Sequence, residues 1–85
     1  MNINLINLMS TMYEIDRDLE NEIQYMSMNK DNHTTGRFTK GELETIYDGV
    51  NSLLIMLQHN KRDYSQYIYI CNIIKAKAQF IYFNL

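Results

Sequence analysis

The chain has no proline, only three glycines and a single cysteine among its 85 residues, and each shortage removes a class of structure. Proteins built from many hairpins use glycine and proline in turns and at strand edges, whereas long helices exclude proline. A multi-hairpin fold is therefore disfavoured. With Cys71 alone there is no intramolecular disulfide and no cysteine-based zinc site, and a lone thiol in an apolar run suits a reducing compartment. Charge of one sign is also lacking. Eight Lys and Arg against ten Asp and Glu leave a formal charge of −2, with no broad basic field to hold nucleic acid by its phosphates. The richest apolar run, Tyr67 to Ile74, is followed by Lys75 and Lys77 and falls far short of the ~20 residues that span a bilayer. Met1-Asn2-Ile3-Asn4-Leu5 has neither a basic start nor a continuous apolar stretch, so no signal peptide is expected. On that basis Asn32-His33-Thr34 is a chance glycosylation triplet, the expected location is cytoplasmic, and neither membrane nor generic nucleic acid is an expected partner.

What is present is apolar patterning. At 46% apolar residues the chain is no disordered polyion, and 85 residues suffice for one domain with a modest core. Domains this small are often completed by a partner or a second copy.

Residues 3–27 carry Leu5, Leu8, Met12, Ile15, Leu19, Ile23 and Met26, at steps of three and four that mark one face of a helix. Glu14, Asp16, Asp18, Glu20 and Glu22 occupy the other faces, and Asn2 or Asn4 is placed to cap the start. The polar stretch at about 28–38 reads as a loop, long for a helix–helix connection. Thr39-Lys40-Gly41-Glu42 then fits a capping box, with Phe38 and Leu43 placed for a hydrophobic staple. The stripe Leu43, Ile46, Val50, Leu53, Leu57 carries a second helix over about 40–58, ending at His59-Asn60-Lys61-Arg62. Asp63-Tyr64-Ser65-Gln66 offers a third start, and a heptad stripe of Tyr64, Tyr67, Cys71, Ile74, Ala78, Ile81 and Leu85 follows. Ile68, Ile70, Ile73, Phe80 and Phe83 lie off that stripe, so this helix is apolar around most of its circumference and must be buried from several sides. The runs at 67–71 and 80–83 also favour strand, but the Lys75–Gln79 link favours helix and lacks turn residues. The expectation is a single all-α domain, a three-helix bundle with helices at about 3–27, 40–58 and 64–83, oligomeric through the third.

Residues capable of chemistry are few. His33 and His59 lack the spacing of a helical metal pair, and nothing in the sequence orients His59 toward Cys71, so neither catalysis nor a metal or cofactor is expected. The acidic faces at 14–22 and 42–48 lack the Glu-x-x-His of helical carboxylate metal sites and read as solvated surfaces. Thr34, Thr35, Arg37 and Lys40 combine hydroxyls, a guanidinium, an ammonium and a helix N-terminus, the parts of an anion site without the Walker spacing. Gly49 sits mid-helix, where close approach of another helix would explain it. The third helix concentrates large aromatic residues, which anchor protein interfaces. Tyr64, Tyr67, Ile70, Ile74, Phe80 and Phe83 are the expected contact residues.

The function expected from these features is a non-enzymatic protein–protein interaction module that associates with itself and modulates or inhibits a host protein. Its Asn-, Ile- and Tyr-rich usage matches that of many small phage or mobile-element proteins. The alternative is an oligomeric sponge or sensor for a nucleotide or other anion. A helix-turn-helix DNA binder would need more basic residues than Lys75 and Lys77 supply.

Overall fold

The computed structural model describes residues 5–28 and 35–85. They form three helices, α1 (Leu5–Met28), α2 (Lys40–Gln58) and α3 (Ser65–Phe83), and no strand occurs among the described residues. The segments 67–71 and 80–83, locally suited to strand, belong to one continuous helix. The caps expected at Asn2 or Asn4, together with His33 and Thr34, lie outside the described residues.

The start of α2 is fixed by the capping box read from the sequence. The Glu42 amide donates to Thr39 Oγ1 at 3.1 Å, and the Thr39 amide donates back to Glu42 Oε1 at 3.3 Å. The α3 start differs from expectation. Tyr64 is its N-cap and makes no side-chain cap bond, while Asp63, one residue earlier, accepts from the Ser65 amide at 3.0 Å. That bond holds the exposed Asp63 carboxyl below its ordinary pKa.

α3 touches both other helices, whereas the α1 and α2 backbones stay apart. Directions follow from side-chain pairs. Tyr82 reaches Glu44 and Lys75 reaches Asn51, so α3 is antiparallel to α2. Lys77 meets Asp16 and Glu20, and Tyr13 lies beside Ser65 and Tyr69, so α3 is parallel to α1. The result is an up-down-up bundle measuring 46 × 19 × 18 Å. A cross-section about two helix diameters wide leaves every helix one side in solvent.

The core lies on the axis between the helices. α1 contributes Met12, Leu19 and Met26, α2 contributes Leu43, Val50, Leu54 and Leu57, and α3 contributes Ile70, Cys71, Ile74, Ala78 and Ile81. Phe38 and Tyr64 close its ends from the flanking loops, packed against this cluster. Gly49 does not serve a close helix contact, since a Cβ built there would meet nothing within 4 Å. No helix among the described residues is long and apolar enough to cross a membrane.

Candidate functional site

Three arrangements on this scaffold could carry function. The first is the end of the α1–α2 loop. Glu22 is only 2% exposed, a carboxylate withdrawn from water on an otherwise acidic helix. Thr35 makes this burial tolerable, donating its amide at 2.9 Å and its hydroxyl at 2.5 Å to the two carboxylate oxygens. The Arg37 amide donates in turn to Thr35 Oγ1 at 3.1 Å, and Gly36 between them adopts φ +76°, a conformation that glycine takes without steric cost. The loop thus does grip an anionic group, and that group is the chain's own Glu22. Both Thr35 donors expected to hold an external anion are engaged. Lys40, also assigned to that site, lies with its ammonium 5.5 Å from the Tyr82 ring centroid. Arg37 is exposed and borders a cleft of about 510 Å³ with Asn21, Glu22 and Tyr25.

The second is the polar seams that flank α3. Lys77 bridges to Asp16 at 2.8 Å and Glu20 at 3.1 Å. Burial works against its charge, but the bonds and charges of the two carboxylates outweigh that effect and raise its pKa. On the α2 side Lys75 donates to Asn51 at 2.7 Å and sits 5.1 Å from the Tyr47 ring centroid. Tyr82 donates to Glu44 at 3.0 Å, and that bond to a carboxylate raises the phenol's pKa. These pairs bridge both seams along α3. A groove of about 270 Å³ remains between α2 and α3, lined by Leu43, Tyr47 and Ala78, with Phe83 at its edge.

The third is the outward face of α3. Tyr69, Ile73, Ala76, Phe80 and Phe83 follow one another at steps of four, three, four and three, the spacing of a second heptad stripe. Tyr69 is 69% exposed, Phe80 50% and Phe83 71%, and Tyr13 of α1 adds a further ring beside Tyr69 at 56%. Ala76 is exposed and Ile73 half-buried. The exposed flanks, Ser65, Asn72 and Gln79, are polar and uncharged, and Lys77 beside them is bound to Asp16 and Glu20 of α1, a cluster of one positive and two negative groups.

The six contact residues expected from the sequence divide between the two sides of α3. Phe80 and Phe83 lie on the outward face. Ile70 and Ile74 are buried at 5% and 0%, and Tyr64 and Tyr67 pack edge-to-face, 5.9 Å apart, against the core. Within the subunit α1 and α2 enclose Ile70 and Ile74 and partly cover Tyr64 and Tyr67. Tyr69 and Tyr13 join the face instead. Tyr69 was legible as the start of the second heptad, whereas Tyr13 needed the docking of α1.

Cys71 is fully buried, and burial raises its thiol pKa despite the opposing charge of Lys75. His59 is exposed at the end of α2. No group of three or more potential metal-ligating side chains gathers among the described residues. The chain matches no family model, and no curated protein or solved structure gives a significant match.

Proposed function

We propose that this protein is a non-enzymatic protein–protein interaction module that binds through the outward face of α3. The supporting observation is the line of half- to mostly-exposed aromatic rings on an uncharged helix face, in a bundle whose seams along α3 are bridged by hydrogen bonds and ion pairs. Contiguous apolar patches with a polar rim mark binding surfaces, and aromatic side chains supply their anchoring energy. In its fuller form the proposal is a cytoplasmic modulator or inhibitor of a host protein, of the phage or mobile-element kind, acting by occupancy. The Asn-, Ile- and Tyr-rich composition and the buried free thiol support that setting.

The test is affinity capture from host lysate with the wild type beside a Tyr69→Ser/Phe83→Ser variant whose helicity and melting are unchanged. A partner retained by the wild type and lost by the variant supports the proposal. Retention of every partner by the variant contradicts it.

A further inference from the structure

Granting the protein-binding role of the outward face, we infer that its occupant is a second copy of this chain, paired antiparallel about a two-fold axis at Ala76. Like-charge repulsion, the first obstacle to self-pairing, is small on this face: the exposed flanks Ser65, Asn72 and Gln79 are neutral, and the charges at its edge, Lys77 with Asp16 and Glu20, leave one net negative group. A partner selected by charge would find little to read on this face. An identical neutral stripe meets its own complement.

Size agrees with this occupant. Four rings exposed by half or more, Tyr13, Tyr69, Phe80 and Phe83, each present on the order of 100–150 Å². Together with Ile73, Ala76 and the polar flanks, the face approaches the ~800 Å² per partner of a standard interface.

The arrangement of bulk selects the orientation. Ala76, the smallest side chain, stands at the middle of the stripe, with Ile73 and Tyr69 on one side and Phe80 and Phe83 on the other. Two crossing helices approach most closely at one point and diverge equally on either side of it. With Ala76 at that point, antiparallel pairing sets Phe80 against the second copy's Ile73 and Phe83 against its Tyr69, so both sides are filled alike. Parallel pairing would set two pairs of phenylalanines on one side and the isoleucine and tyrosine pairs on the other, filling them unequally. Antiparallel α3 helices also oppose their dipoles favourably, and the two-fold makes the contact isologous and closed.

Single-cysteine cross-linking with a short bis-maleimide reads the orientation. The wild type serves as the blank, because Cys71 is fully buried. Ala76→Cys should cross-link to itself. Tyr69→Cys and Phe83→Cys should each fail alone, since antiparallel pairing separates identical positions by about 21 Å along the helix. Mixed together, they should form the Tyr69→Cys to Phe83→Cys product. Self-cross-linking of Tyr69→Cys would establish a parallel pair and overturn the inference. Ala76→Glu and Ala76→Lys supply variants independent of cysteine chemistry: each alone should be monomeric, with dimer mass restored on mixing. A monomeric wild type that still loses a captured partner with Tyr69→Ser/Phe83→Ser would overturn the second copy as occupant and leave the interaction role standing. If no partner is lost either, both fall.

Discussion

The inner and outer sides of α3 are built from the same kind of residue at the same spacing, yet the bundle treats them oppositely. Cys71, Ile74, Ala78 and Ile81 step inward by heptads and are enclosed by α1 and α2. Tyr69, Ile73, Ala76, Phe80 and Phe83 step outward by heptads and have no covering helix among the described residues. Hydrophobicity alone therefore does not decide which stripe becomes core. Two amphipathic helices can flank α3 on only two sides, and the remaining side is left exposed.

The largest expected effect sharpens that contrast within one helix. Ile74→Ala on the inner stripe should cost about 2–5 kcal/mol in urea unfolding, because it removes transfer energy and leaves a cavity. Phe80→Ser on the outer stripe should change the stability of the dilute subunit by no more than about 0.5 kcal/mol. Equal costs would mean that Phe80 belongs to the core and would erase the distinction.

Next in size is the loop latch. Thr35→Val removes the hydroxyl that donates to Glu22, leaving a 2%-exposed carboxylate short of a donor. Hydrogen bonds to buried charge are worth about 1.5–3 kcal/mol, and the melting temperature should fall accordingly. An unchanged melt would show that Glu22 draws its support from elsewhere.

Gly49→Ala tests an exposed face assigned no contact. Space around Gly49 is open and it lies within α2, so alanine should stabilise the chain by about 0.5–1 kcal/mol and leave its mass in solution unchanged. Lost association would move the contact surface to α2.

The smallest effect is in the alkaline limb of stability. The folded pKa of Lys77 stands above its ordinary 10.5, so its bridge contributes fully at neutral pH, below the unfolded value. That contribution disappears as pH rises through the folded value. Lys77→Met should remove that part of the alkaline loss, about 0.5 kcal/mol once solvent screening of a part-exposed pair is allowed for.

Much of this fold was legible because it is written locally. Three- and four-residue steps locate each helix within a few residues, and the Thr39–Glu42 box marks the start of α2. The side of α3 facing inward was not legible, because both stripes are apolar and the choice depends on where α1 and α2 dock. That is why Ile70 and Ile74 read as contact residues while they lie in the core. Glu22 was hidden for a related reason. It reads as one carboxylate of a solvated face, and only Thr35, thirteen residues later, provides the donors that let it be buried.

Light scattering of the wild type across micromolar concentrations tests most directly whether α3's outer stripe is a contact face between copies. The predicted result is a mass approaching twice the 10.2 kDa chain, with Ala76→Glu remaining at the single-chain value. A wild type fixed at the single-chain mass throughout, indistinguishable from Ala76→Glu, would contradict it.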